Sequence, residues 1–155
     1  MSEEIQLVVF AVIGGTMRLA APLLLAAAGD CLVQRSGRIN LGLEGIIPCA
    51  AVAAVAMSAS GHGALAALAA ALAVGVLLSV LHWGCCLLPR VDDLAAGVAL
   101  LIFGIGLARF AGSGLVTASV QPLPALPVAG VPVGIMLPVG IGAALFLSWA
   151  LFNTR

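Results

Sequence analysis

The sequence predicts an all-α protein, a polytopic transmembrane helix bundle of about five membrane segments, one of them broken near residues 36–45. Hydrophobic residues make up 63% of the 155-residue chain and charged residues 8%, and the mean hydropathy is +1.27. A soluble domain of this length cannot bury so much apolar surface, so the chain is predicted to be integral to a membrane. The predicted spans cover residues 5–29, 41–57, 64–88, 94–110 and 133–152.

Charge and cysteine usage argue against several classes of function. Six arginines and six acidic residues balance to a net charge of zero, so nucleic acid is not an expected partner. The cysteines follow neither zinc-ligand nor disulfide-framework spacing, and we interpret His82, Cys85 and Cys86, which share a helix face, as packing residues. No nucleophile and base can be assembled and no phosphate-binding loop is present, so the chain is not expected to be an enzyme or to hold a metal or cofactor.

The first span is long enough to cross about 30 Å of hydrocarbon. Its acidic start differs from a secretory signal, so this helix is expected to be retained. Arg18 and Pro22 are expected to interrupt it. A mid-span arginine costs about 2.5–3.5 kcal/mol on insertion scales, so Arg18 is expected to face protein or water and to pair with Glu44 or Asp30. This pair is either a structural link between helices or part of a transport pathway.

The first polar connection, Asp30 to Asn40, separates the first two spans, and it leads into a glycine-rich run from Ser36 to Gly45. Its three glycines argue against a continuous helix, because glycine in a helix interior costs about 1 kcal/mol relative to alanine. If the second helix begins near Asn40, that amide can cap it, and Glu44 lies on the same face near the positive end of the helix dipole. Gly42 and Gly45 would form a smooth strip beside them. Irregular backbone at membrane depth lines a pathway or cavity; the alternative is an ordinary cytoplasmic loop.

The later spans carry packing and capping signals. The third span has small residues at every fourth position, a pattern that lets membrane helices approach closely; these residues are Gly63, Ala67, Ala71, Gly75 and Ser79. Asp92 and Asp93 are interpreted as caps at the start of the fourth span. The proline-rich stretch from 112 to 132 predicts an extended or short-helical connection.

Arginine placement predicts the topology. With five spans, the loops that hold four of the six arginines fall on one side of the membrane, which we predict to be the cytoplasm. These residues are Arg35, Arg38, Arg90 and Arg155. Arg109 is the exception.

The run from Gly37 to Gly45, preceded by residues 16–29, resembles the N-terminal region of permease subunits of bacterial ABC importers of the nucleoside and simple-sugar type. That superfamily also contains the ribose and branched-chain amino-acid permeases, and residues 96–100 and 151–155 resemble further family segments. The resemblance implies Asn40, Gly42, Glu44 and Gly45 as pathway or gate residues.

The resemblance also implies a location and partners. It implies a multi-pass protein of the bacterial cell (inner) membrane that forms half of a translocation pathway for a nucleoside or simple sugar. The implied partners are a second permease chain, an extracytoplasmic solute-binding protein, the lipid bilayer, and separate cytoplasmic ATPase subunits that hydrolyse the ATP.

Two features depart from the family pattern. Asp92 and Asp93 stand where the family tends to carry amide and acid side chains. Family members also continue beyond the Thr-Arg segment into a cytoplasmic coupling helix and further spans, whereas this sequence stops at Arg155. Three hypotheses follow: a permease fragment or split half that works with another membrane chain, an inactive truncated permease, or a small membrane scaffold that binds partners through the small-residue face of the third span.

Overall fold

The computed structural model describes residues 3–118, 120, 125–128, 131–134 and 136–153. The helices are α1 (Glu3–Arg35), α2 (Leu43–Ala59), α3 (Ala64–Cys86), α4 (Asp93–Gly112) and α5 (Met136–Asn153). A 3-10 turn, Ser113–Leu115, follows α4, and strands β1 (Ala125–Val128) and β2 (Val131–Gly134) precede α5. The all-α fold class is confirmed, since nearly all of the described chain is helical. The expectations for residues 121–124 and 154–155 lie outside the described residues.

The chain divides into two compact units. One contains Met1–Leu32 and Leu123–Arg155, and the other contains Val33–Pro122. The first therefore holds most of α1, the hairpin and α5, and the second holds α2, α3 and α4. The predicted single transmembrane domain over residues 1–155 stays a prediction.

Three helical segments are long and apolar enough to span a membrane: Glu4–Arg35, Ala64–Cys86 and Asp93–Leu115. The other two apolar helices are shorter, at Leu43–Ala59 and Leu137–Asn153. The 17 residues of α2 rise about 26 Å, which is near the lower limit for crossing the hydrocarbon core. All five predicted apolar segments are therefore helical. The predicted sides of the membrane stay predictions, and Arg155 lies outside the described residues.

Helix α1 is continuous, which corrects two expectations. It runs through Arg18 and Pro22 without interruption and continues to Arg35, so the connection predicted to begin at Asp30 begins after Arg35. Proline is tolerated inside membrane helices because neighbouring groups satisfy the freed backbone carbonyl. Arg35 in the last turn suits the negative end of the helix dipole. The continuity also removes one predicted ion pair, because Arg18 and Asp30 lie about 18 Å apart along the axis.

The predicted break near residues 36–45 is confirmed between Arg35 and Leu43. Gly37 adopts a φ of 79°, a left-handed conformation that glycine accepts at little cost and that commonly ends a helix. The second helix begins at Leu43, with Gly42 at the N-cap position. Its predicted start near Asn40 was therefore early by less than one turn.

The hairpin lies where the prolines predicted extended backbone. Strands β1 and β2 pair antiparallel, with Ala125 opposite Gly134 and Val128 opposite Val131. Each strand contains a proline, which is compatible with a two-stranded ribbon because every strand in it is an edge. The last helix begins at Met136, after the predicted start at residue 133. In this unit, Gly140 lies against α1, where a β-carbon on it would stand 3.3 Å from the Ala21 carbonyl oxygen.

Helices α2, α3 and α4 form the core of the second unit. Its buried side chains come from all three helices and are Ile46, Cys49, Leu78, Leu100 and Ala108. The core is small, as expected for membrane helices whose outer faces contact lipid and need no burial in protein.

The closest approach in this core is between the backbones of α2 and α4. A β-carbon on Gly45 would stand 2.6 Å from the Leu100 carbonyl oxygen, and one on Gly104 would stand 2.7 Å from Gly45 Cα. The Cys49 thiol donates a hydrogen bond of 3.1 Å to the Gly104 carbonyl oxygen at the same crossing. Only glycine fits at positions 45 and 104, so this contact fixes how α2 lies on α4.

We expect Gly104→Ala to lower the free energy of unfolding by about 1–3 kcal/mol, because the added methyl group overlaps the α2 backbone. The thermal midpoint of the purified protein in detergent measures the effect. The matched control is Gly106→Ala, where a β-carbon has no heavy atom within 4 Å. Equal midpoints for the two variants would contradict the packing described for Gly104.

Candidate functional site

The predicted site residues of the segment 36–45 lie at the junction between α2 and α4. Asn40 is half-buried in the connection before α2. Its Oδ1 accepts a hydrogen bond of 3.1 Å from the Gly42 N–H, which is the geometry of an Asx turn. Asn40 therefore fixes the turn that leads into α2, but it does not cap the helix as predicted, because the N-cap position is taken by Gly42, two residues later.

Gly42 and Gly45 face α4, whereas Glu44 does not. Both glycines are buried, and Glu44 is exposed in the first turn of α2. A β-carbon on Gly42 would stand 2.8 Å from Leu100 Cδ2. The structure thus brings the two glycines to the helix interface and leaves the Glu44 carboxylate on another face of α2. The part that each residue plays in a pathway stays a prediction.

An ion pair ties the same segment to the start of α4. Arg38 Nη1 lies 2.9 Å from Asp93 Oδ1 and 3.0 Å from Asp93 Oδ2. The two side chains are 51% and 30% exposed, so solvent weakens their attraction and the pair contributes at most about 1 kcal/mol. The pair was missed from the sequence, although both residues had been predicted near one membrane surface.

The predicted cap of α4 is confirmed at Asp92. Its Oδ1 accepts a hydrogen bond of 2.8 Å from the Leu94 N–H. Asp93 lies in the first turn of the helix, where a carboxylate is favoured by the positive end of the dipole. The two adjacent acids thus have different partners, one the helix backbone and the other Arg38.

Arg18 is exposed on α1, in the other compact unit. Within the described part of that unit, no ion pair is assigned to it. Its role in a pathway stays a prediction.

The predicted packing face of α3 is only partly buried. Ala67, Ala71 and Gly75 are half-buried, while Gly63 and Ser79 are exposed. β-Carbons on Gly63 and Gly75 would have no heavy atom within 4 Å, so close helix approach does not occur at either glycine in the described chain. Close approach occurs instead at Gly97 and Gly104 of α4, which are missing from the predicted face. Their seven-residue spacing, two helical turns, was the sequence signal that could have found them.

A groove lies between the C-terminal end of α3 and the N-terminal half of α4. Its volume is about 490 Å³, and leucine, valine, alanine and phenylalanine side chains line most of it. His82 and Cys85 are its polar members. His82 Nε2 lies 3.7 Å from Cys86 Sγ, as the shared helix face predicted, and His82 Nδ1 is buried with no hydrogen-bond partner among the described residues.

Two curated proteins are similar to this chain. A Haloferax volcanii protein, TsgC13, is named as a glucose ABC transporter permease and is 31% identical over 140 residues, which is 89% of this chain and 42% of that protein. The Bacillus subtilis guanosine ABC transporter permease protein NupQ is 34% identical over 105 residues, which is 64% of this chain and 33% of that protein. The resemblance to ABC transporter permeases is confirmed. No family model and no solved structure matches the chain.

The similarity to TsgC13 includes the segment 36–45. An alignment that covers 89% of the 155 residues contains the segment 36–45 wherever its ends fall. The chain spans about two fifths of the length of the first permease and a third of the second.

We expect Asp93→Asn to release Arg38 and to increase the rate of tryptic cleavage after Arg38 about two- to fivefold at low salt. The increase is limited because the ion pair contributes at most about 1 kcal/mol to the free energy that holds the connection in place. Quantitative mass spectrometry of the digest in detergent measures the rate. Glu44→Gln removes an equal charge from the neighbouring turn and should leave the rate unchanged. Unchanged cleavage in Asp93→Asn would mean that the ion pair does not restrain the segment.

Proposed function

We propose that the chain is a membrane-spanning component of an ABC importer and forms part of the translocation pathway for a nucleoside or simple sugar. The similarity to two permeases, one named for glucose and one for guanosine, is the observation that carries the proposal. Both solutes are uncharged and carry several hydroxyl groups, so a pathway for them needs hydrogen-bonding side chains more than net charge.

The junction of α2 with the preceding connection offers such groups. The Asn40 oxygen is engaged by Gly42, which leaves the amide NH₂ as a donor, and the exposed Glu44 carboxylate is an acceptor. A hydroxyl group can accept from the first and donate to the second. The glycine contacts of α2 with α4 hold this junction in place, so the polar groups are preorganised and lose little entropy when a solute binds.

The same contacts suggest which parts would move together. Alternating access requires helices to shift between two packings around the pathway. Helices α2 and α4 have no side chain between them at Gly45 and Gly104, so they would move as one body. Gly42 and Gly45 would then act by fixing the pathway wall, and Asn40 and Glu44 by contacting the solute.

In this proposal the chain supplies the passage and other subunits supply the energy. Separate cytoplasmic ATPase subunits would hydrolyse ATP, a solute-binding protein would deliver the solute from outside, and a second permease chain would complete the pathway in the bacterial cell membrane. No cofactor is proposed for the chain itself.

A second candidate function is that of an assembly partner in the membrane. Open space beside Gly63 and Gly75 favours it, because a small-residue face that is not filled from within the described chain can receive another helix. Recovery of an unrelated membrane protein, with no ATPase or second permease chain, after gentle solubilisation would favour this function over transport.

We expect Glu44→Ala to reduce the uptake of radiolabelled guanosine or glucose at least about tenfold, because the solute loses a hydrogen bond to a charged group. Uptake is measured in cells that carry the chain and its transport partners. Membrane levels of the variant should match wild type, because Glu44 is exposed and is not one of the residues that pack α2 against α4 in the described chain. Glu4→Ala, at the start of α1, is the matched control. Wild-type uptake by Glu44→Ala would remove this residue from the pathway, and absence of uptake by the wild-type chain would overturn the proposed function.

For Asn40, the proposal predicts a separation of structural and transport roles. Asn40→Asp keeps the oxygen that accepts from Gly42 but loses the amide donor, so it should fold like wild type and transport poorly. Asn40→Ala loses both and should also be destabilised by about 1 kcal/mol, the usual net contribution of one hydrogen bond. Thermal midpoints and uptake are measured on the same preparations. Full uptake by Asn40→Asp would show that the amide donor does not contact the solute.

A further inference from the structure

The groove between α3 and α4 opens at the end of the unit where Leu87–Asp92 connects these helices. Leu81, Leu88 and Phe103 line it with 50%, 58% and 53% of their surfaces exposed. Large apolar side chains this exposed are stable beside hydrocarbon but costly beside water. The groove is therefore a surface for an apolar occupant.

The position of the groove in the membrane follows from its helices. Both belong to segments long and apolar enough to span, so the connection between them lies at a membrane boundary. The lining of α4 extends from Ala95 to Phe103, a rise of about 12 Å. This is less than half of the roughly 30 Å hydrocarbon core, so the groove runs inward from the boundary through one leaflet.

A positively charged residue, Arg90, lies in the connection between two residues that line the groove. Asp93 is paired with Arg38, and Asp92 accepts from the Leu94 N–H at the positive end of α4. Both carboxylates are thus compensated locally. Arg90 is exposed, and no ion pair or side-chain hydrogen bond is assigned to it in the described chain. The groove is lined by Leu88, two residues before Arg90, and by Val91, the residue after it.

The backbone at Arg90 is also unusual. Its φ is 80°, in the left-handed region that non-glycine residues rarely adopt. Such conformations cost of order 1–3 kcal/mol and are retained where surrounding structure requires them. Here the turn lies between Leu88 and Val91, which line the groove, and leaves Arg90 exposed.

We propose that this groove binds an acyl chain of a phospholipid whose anionic headgroup is held by Arg90. Guanidinium groups form strong, paired hydrogen bonds with phosphate oxygens, and basic positions between membrane helices recognise anionic headgroups. The hydroxyl-rich solute of the proposed transport pathway is a poor occupant, because the walls are apolar apart from His82 and Cys85 and leave most of its hydroxyl groups without partners. The site is separate from Asn40 and Glu44 and does not depend on the proposed transport function.

Spin-labelled lipids test the proposal on the full chain reconstituted in phosphatidylcholine vesicles. The immobilised fraction of spin-labelled phosphatidylglycerol is compared with that of spin-labelled phosphatidylcholine by electron spin resonance. We expect wild type to favour phosphatidylglycerol over phosphatidylcholine about fivefold, which is the effect of one arginine on the binding of an anionic lipid surface. Arg90→Gln should abolish the preference, while Arg109→Gln, at the opposite end of α4, should retain it.

A second variant tests the groove itself. Ala99→Leu fills it and should remove the immobilised phosphatidylglycerol component, whereas Ala69→Leu, on an exposed part of α3 outside the groove, should not. Equal immobilisation of the two lipids by wild type would overturn the proposal. So would an unchanged preference in Arg90→Gln, which tests the headgroup site even if Ala99→Leu does not fold. Loss of a co-purified membrane protein in Ala99→Leu, with lipid binding unchanged, would make the groove a protein interface instead.

Discussion

Backbone contact between Gly45 of α2 and Gly104 of α4 is the constraint on which the second unit depends. Membrane helices gain no hydrophobic energy by leaving lipid for each other, so they associate through van der Waals packing and hydrogen bonds at short range. Glycine at both positions lets the two helix backbones approach within that short range. The Cys49 thiol adds a hydrogen bond to the Gly104 carbonyl oxygen at the same contact. A larger residue on either helix would force the pair apart and move everything attached to the start of α2.

The polar connection before α2 is ordered by local contacts of different kinds. Gly37 ends α1 with a left-handed turn, Asn40 closes the next turn through Gly42, and Arg38 reaches Asp93 on α4. None of these contacts is strong alone. Together with the buried glycines they hold the backbone of this connection in place, which the proposed recognition of an uncharged polar solute requires.

The two arginines near the start of α4, Arg38 and Arg90, have different surroundings. Arg38 is neutralised by Asp93 and contributes to the fold. Arg90, in the connection between α3 and α4, is left exposed next to residues that line an apolar groove. A transporter with this arrangement would contact its solute through one surface and its membrane through another. Lipid at the second surface would then be able to alter the packing of α3 against α4 without entering the transport pathway.

The sequence by itself determined the properties that depend on local composition. Hydropathy placed all five apolar helices, glycine and asparagine predicted the break before α2, Asp92 was predicted as a cap, and the segment 36–45 carried the resemblance to ABC permeases. The same reasoning placed an interruption at Arg18 and Pro22 and named Asp30, besides Glu44, as a partner for Arg18; the continuous α1 excludes the interruption and the pair with Asp30. Local signals overestimated the breaking power of proline because other groups can satisfy the backbone in a membrane.

Only the tertiary structure decided which faces meet. Arg38 and Asp93 are 55 residues apart, as are Cys49 and Gly104, and no local pattern specifies a partner at that separation. Small residues at every fourth position of α3 were a reasonable packing signal, yet the closest contact formed through glycines of α2 and α4. The reason is physical: in an almost uniformly apolar chain many helix faces are equally suited to lipid, and only the mutual fit of two backbones selects one pair.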